Sequence, residues 1–156
     1  LGEPLLRQST ASVALIRRVD QGRTLWLAQW NSRWNHFHFV SGHKYPTESF
    51  RECLVRELGE ELGLREQADF VISDEAPTPI EFQEWSLSAR AETRYVMELF
   101  NVALRPTPAV EAIDRDPLNR WLTEAEIRRG VSAEGRPVSP TMIRLLTESG
   151  AWTGDA

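Results

Sequence analysis

After a polar lead-in over residues 1–10, the first sustained hydrophobic run is Ser12–Val19, SVALIRRV. It reads as a β-strand rich in aliphatic residues, ended by the turn signal Asp20-Gln21-Gly22. Leu25–Trp30, LWLAQW, is the second arm of a hairpin. Its alternation puts Leu25 and Leu27 on one face and Trp26, Ala28 and Trp30 on the other. Asn31–Asn35 reads as a loop, and Phe37–Val40 as a short strand that delivers the chain to Gly42. A helix is predicted from an N-cap at Thr47 to a terminating glycine at Gly63. Asp69–Asp74 has strand character, Ala76–Pro79 is a break, and Glu81–Ser88 and Thr93–Leu104 read as longer antiparallel neighbours.

Arg105–Leu118 carries three prolines and several acids and reads as a loop. Arg120–Leu122 is a short strand leading to Thr123, which caps a helix over Glu124–Arg129 with Glu126 at the capping-box position. Val131–Val138 reads as a loop. Ser139 as N-cap and Pro140 at N1 open a final helix running to about Glu148, ended by Gly150. Strands on either side of a central helix, with helices again at the end, predict an α/β sandwich, a mixed sheet covered on both faces. Repeats, low-complexity tracts and dividing linkers are absent from the sequence, so one domain over 1–156 is expected.

Composition narrows the function. A net charge of −5 gives no basic surface for bulk nucleic-acid or membrane binding, although a bound cation could still supply positive charge locally. The single cysteine, Cys53, rules out an intramolecular disulfide and fits a reducing, cytoplasmic setting. No apolar run approaches a membrane span, and no signal peptide is visible. A first residue of Leu1 rather than Met reads as a processed chain or part of a longer one.

The candidate chemistry lies in the central helix. With Leu54 at zero and about 100° per residue, Phe50, Leu58, Leu62 and Val55 form an apolar arc from about −40° to +100°. Glu61 falls at about −20°, Glu57 at about −60° and Glu60 at about −120°. A glutamate-rich helix is ordinarily a solvated face. Here two of the carboxylates are predicted on or beside the buried stripe, where they need a partner or a cation. Oxygen ligands clustered in this way suit Mg²⁺ or Mn²⁺ rather than Zn²⁺. Arg56 stands i,i+4 to both Glu52 and Glu60 and can orient a carboxylate.

Gly42, Glu48, Arg56, Glu57, Leu58, Glu60, Glu61, Gly63 and Leu64 fill every defined position of a known pattern. That pattern is Gly, five residues, Glu, seven residues, then Arg-Glu-aliphatic-any-Glu-Glu-any-Gly-aliphatic. The stretch resembles the Nudix box, and the strand order is similar to that family's α/β/α sandwich. The resemblance implies a divalent-metal-dependent hydrolase of nucleoside diphosphates linked to another group. It implies Glu57 and Glu61 as the main metal ligands, and Glu60 as a further ligand or an aid to water activation. Glu48 would assist metal or water, and Arg56 would orient the glutamates. Ser41 stands where many members have a glycine whose carbonyl binds metal. Tyr45 and Thr47 stand where many have Glu and Gly, outside the defining pattern.

Members often recruit a further acid after the box, for which Glu111, Asp114 and Asp116 are candidates against ordinary solvated loop charges. Glu98 shares a strand face with Val96, Phe100 and Val102, as a site-facing carboxylate or an edge position. Among the aromatic residues ahead of the box, core packing accounts for Trp26, Phe37 and Phe39. Trp34, in a polar loop, is the better candidate for stacking on a nucleobase. Arg33, His43 and Lys44 are candidates for phosphate contact, against ordinary surface positions. Pro79 falls where some ADP-ribose-specific members have a proline, with Pro77 close by. The expected partner is a small-molecule nucleotide, and dimers, common in the family, allow a homodimer. The competing reading is a nucleotide-binding or sensor domain without catalysis, but such members usually lose box glutamates or the arginine.

Overall fold

The computed structural model describes residues 6–152. Eight strands and four helices are found among them. The strands are β1 (Arg7–Asp20), β2 (Arg23–Asn31), β3 (His36–His38), β4 (Ser41–His43), β5 (Phe70–Ile72), β6 (Thr78–Ser86), β7 (Ala91–Leu104) and β8 (Asn119–Thr123). The helices are α1 (Phe50–Leu62), α2 (Pro108–Arg115), α3 (Glu124–Arg129) and α4 (Thr141–Glu148).

The sheet is mixed. Its spine is β3-β2-β1-β7-β5, with β4 pairing β1, β6 pairing β7 and β8 pairing β2. The two long strands β1 and β7 run parallel from Arg7↔Thr93 to Ile16↔Val102. On its other edge β1 is shared, its first half pairing β4 at Ala11–Val13 and its last residues pairing β2. Gln21 and Gly22, both at positive φ, make the tight turn between β1 and β2.

Both faces of the sheet are covered. Ala14, Ile16, Leu27, Phe100 and Val102 pack under Leu54 and Leu58 of α1 and Ile113 of α2. Val13, Leu15, Trp26, Ala28 and Leu99 pack against Ile127 of α3 and Met142, Leu145 and Leu146 of α4. A strand buried on both faces favours an unbroken aliphatic run, as in SVALI. The architecture is the expected α/β/α sandwich, and the alternation along β2 sends Trp26, Ala28 and Leu27 to the predicted opposite layers.

Several local expectations are corrected. The N-cap of α1 is Ser49, not Thr47. Ser49 Oγ accepts from Glu52 N–H, and the Glu52 carboxylate accepts from Ser49 N–H at 2.8 Å, a complete capping box. Thr47 instead lies within a turn closed by Glu48 N–H to Tyr45 O. The segment read as a loop at Arg105–Leu118 contains α2, because Thr107 caps it with Pro108 at the first position. The break at Ala76–Pro79 is shorter than expected: β6 begins at Thr78, and Pro79 is tolerated where β6 has only β7 beside it. Of the expected strand Phe37–Val40 only Phe37 and His38 lie in a strand, β3; Phe39 and Val40 link it to β4. β1 begins at Arg7, within the polar lead-in, and residues 1–5 lie outside the described residues. The final helix starts at Thr141. Ser139 Oγ still accepts from Thr141 N–H at 3.3 Å, so serine serves that end one residue earlier than a strict cap. The Thr123–Glu126 capping box and the left-handed Gly63 at the end of α1 are as expected.

Candidate active site

The helix α1 lies across β1, with its first turn tied down by Ser12 Oγ donating to Phe50 O at 2.6 Å. Cys53, Leu54 and Leu58 are fully buried beneath it. This orientation turns Glu57 toward β4, where the residue is 7% exposed. A Cβ on Gly42 would stand 1.9 Å from Glu57 Cδ and 2.1 Å from Oε1. Gly42 is therefore required by close approach: the carboxylate occupies the space that any other side chain would fill.

Arg56 gathers the neighbouring acids. Its Nε donates to Glu48 Oε2 at 3.1 Å and its Nη2 to Glu48 Oε1 at 2.6 Å. Nη1 donates to Glu57 Oε1 at 2.8 Å and to Glu60 Oε2 at 3.3 Å. Nη2 also donates to His43 O at 2.9 Å. This bidentate hold keeps the Glu48 carboxyl down at about 2, with the Tyr45 N–H adding to it. Glu57 responds the other way. Burial pushes its pKa up, the Arg56 hydrogen bond and charge oppose the rise, and Glu60 and Glu61 push it further up. A buried carboxylate crowded by two others has a stronger need for positive charge than one arginine satisfies.

One correction concerns Glu61. It is exposed, not beside the buried stripe, and so is Glu60. Leu54 and Leu58 are fully buried, but Leu62 is only partly so and Gly63 is exposed. The last turn of α1 keeps Leu62 and the following Leu64 against the core and turns Glu60 and Glu61 outward. Gln29 Nε2 holds that turn by donating to Glu61 O at 3.2 Å and bridges to Asn119 Oδ1.

The donor set has the right chemistry for a hard divalent cation. Glu57 is fixed against Gly42 of β4, while Glu60, in the Arg56 network, and Glu61 are exposed on the same helix. Among the described residues no three acidic, histidine or cysteine side chains stand close enough to ligate an ion as they are. Arg56 lies between Glu48, Glu57 and Glu60, so rotation of exposed glutamate side chains is needed to close such a set.

The other predicted residues divide. The Cβ direction of Gly42 faces Glu57, so His43, the next strand residue, points to the opposite face, where its Nδ1 lies 3.3 Å from Ser9 Oγ. Lys44 anchors the chain by its N–H to Thr10 O and places Nζ 5.6 Å from the Phe50 ring centroid. Trp34 is 38% exposed in the β2–β3 turn, where Asn31 Oδ1 accepts from the N–H groups of Arg33 and Trp34. Trp26, Phe37 and Phe39 are core residues. Trp30 packs edge-on against Phe37, under the Arg136 guanidinium.

The candidate extra acids do not join the cluster. Asp114 accepts from Arg18 Nη1 and from Trp121 Nε1, Asp116 caps the end of α2, and Glu111 is exposed on its first turn. Glu98 shares a sheet row with Gly42 (Gly42↔Ser12↔Glu98), two strands apart, about 10 Å. It lies in a groove of about 360 Å³ with Lys44, Phe50 and Phe100, and burial raises its pKa. Two contacts had no sequence signal. Tyr45 stacks on Arg56, and Cys53 Sγ approaches Gly42 O at 3.4 Å, pairs that no periodicity connects.

The NUDIX domain model matches residues 7–146. The chain belongs to the Nudix family. Solved structures agree in fold. The Nudix chain resembles the Ap4A hydrolase of C. elegans at 18% identity, covering 92% of this chain and 96% of that one, with a TM-score of 0.60. A NUDIX hydrolase from Nitrosomonas europaea is 20% identical over 93% and 90% of the two chains, with a TM-score of 0.58. The NUDIX domain of Shewanella oneidensis NrtR, solved with ADP ribose, is 14% identical over 94% and 89%, with a TM-score of 0.59. No curated protein matches the sequence significantly. Among the described residues, no helix is long and apolar enough to cross a membrane.

Proposed function

We propose that this Nudix chain is a divalent-metal-dependent pyrophosphohydrolase acting on a nucleoside diphosphate linked to a second moiety, in a cytoplasmic setting. The observation that carries the reading is the Glu57 carboxylate lodged against Gly42 while Arg56 links it to Glu48 and Glu60. Glu57, Glu60 and Glu61, together with the Ser41 carbonyl, are the groups that would hold Mg²⁺ or Mn²⁺. Bound there, the cation would neutralise the diphosphate and favour in-line attack by water on phosphorus.

The chain's own residues supply order. Gly42 leaves room for Glu57, and Arg56 sets the spacing of Glu57 and Glu48. Glu48, kept ionised by Arg56 and held by the Tyr45 N–H, anchors that arginine. The ADP ribose bound to the similar NrtR domain makes ADP-ribose-like diphosphates the first substrates to try. NrtR has also been solved with a 27mer DNA, which keeps a sensor without turnover as the second reading. The intact set of box acids and arginine favours the enzyme.

The test is phosphate or nucleotide release from ADP-ribose, nucleotide sugars, dinucleoside polyphosphates and nucleoside triphosphates with Mg²⁺ or Mn²⁺. Glu57→Gln and Glu61→Gln should each abolish turnover, and both should weaken stabilisation of the fold by millimolar cation. Wild-type rates in both variants would sink the mechanism. Tight nucleotide binding without turnover would support the sensor.

A further inference from the structure

Tyr45 belongs to no helix or strand and is 53% exposed. Yet its ring lies over the Arg56 guanidinium, with Cζ 4.0 Å from the ring centroid. Its N–H donates to Glu48 Oε1 at 2.9 Å, the same oxygen that receives Arg56 Nη2. Tyr45 O accepts from Glu48 N–H at 3.2 Å, and Pro46 follows, which restricts the Tyr45 backbone and the direction of its ring. One exposed residue therefore touches both members of the Glu48–Arg56 pair.

The in-plane edges of the guanidinium are taken by Glu48, Glu57, Glu60 and His43 O. Hydrogen bonds in that plane restrain tilt out of it poorly, and the exposed face is open to competing water. An aromatic face stacked on the cation restrains the tilt and excludes that water. Cys53 Sγ, 3.8 Å from Nη2, limits movement from within the fold.

We propose that Tyr45 is a positioning residue: its ring fixes the plane of the Arg56 guanidinium and, through it, the placement of the Glu57 and Glu48 carboxylates. The catalytic consequence rests on the reading of this cluster as the cation site; the ring's hold on Arg56 does not.

The experiment compares Tyr45→Phe and Tyr45→Ala in the whole chain. Three readouts are taken: solvent exchange of the Arg56 Nε–H by NMR, Mn²⁺ affinity by titration calorimetry, and kcat and KM on the best substrate of the panel. Tyr45→Phe should match wild type in all three. Tyr45→Ala should speed Nε–H exchange by about tenfold and lower kcat and Mn²⁺ affinity about two- to fivefold, leaving KM within about twofold. Its melting temperature should hardly move, because the residue is exposed. An alanine variant with wild-type exchange and kcat overturns the proposal. So does a phenylalanine variant that fails alongside alanine, since the hydroxyl would then be the active part. If wild type turns over nothing, the enzymatic reading falls, while Nε–H exchange and Mn²⁺ affinity still decide the role of Tyr45.

Discussion

Replacing Gly42 with alanine separates the site from the fold. The new Cβ would stand 1.9 Å from Glu57 Cδ and 2.5 Å from Cγ. Ordinary carbon contacts begin near 3.4 Å, so the carboxyl carbon has to retreat by about 1.5 Å. Because Cγ is also too close, turning the terminal carboxylate is not enough, and the side chain must change rotamer. The helix cannot slide away instead, since Leu54 and Leu58 are fully buried. The stability cost is that of local overpacking against a movable side chain, about 1–2 kcal/mol. The functional cost is larger: a displacement of this size takes Glu57 off Arg56 Nη1, and a misplacement of about 1 Å costs on the order of 100-fold in rate. The assay pairs turnover on the panel and Mn²⁺ titration with thermal melting. Gly59→Ala is the matched control, because its Cβ would meet only Leu64 O at 3.7 Å in exposed helix. It should stabilise by about 0.5–1 kcal/mol and leave turnover unchanged. Gly42→Ala with wild-type turnover and metal affinity would refute the reasoning, whatever its melting point.

Two further outcomes test the fold. Burial of the His38 ring lowers its pKa from 6.5 to about 4, with the Phe39 carbonyl opposing the shift and His36 adding to it. The unfolded chain then binds more protons between these values, so stability contributed by neutral His38 is complete above pH 6.5 and is lost as pH falls toward 4. The residue as a whole keeps partial exposure although its ring carries the full burial effect, so the smaller magnitude is expected, about 2 kcal/mol. Glu57 and Glu98, with raised pKa values, slope the opposite way from pH 4.5 upward, so the measurement is the difference between wild type and His38→Gln in urea titrations across pH 4–7.5. A variant with the wild-type slope would contradict the assignment. Ser49→Ala should cost about 1 kcal/mol by removing one half of the α1 capping box, whereas Thr47→Ala should cost almost nothing; equal losses in denaturant melts would restore Thr47 as the cap.

The sequence by itself determined what depends on near neighbours and on period. The Asp20-Gln21-Gly22 turn, the Thr123–Glu126 box, the left-handed Gly63 and the two faces of β2 follow from local rules, and they agree with the fold. Ser49 was within reach of the same rules, since Glu52 stands three residues on, as was α2, opened by Thr107-Pro108. The spacing of Gly42, Glu48, Arg56 and Glu57 also carried the carboxylate cluster, because one helix holds most of it.

Tertiary structure alone decided what each helical angle faces. Glu57 and Glu61 are one turn apart, yet Glu57 is buried against β4, whereas Glu61 is exposed. The distance of the candidate acid Glu98 from the cluster was set by pairing register, which puts it in the row of Gly42 but two strands away. Tyr45 came to Arg56 through a loop fold that no repeat in the sequence encodes. Direction around a helix follows from its fixed pitch. What occupies that direction depends on chain paths that meet across many residues, so it follows from assembly rather than from pattern.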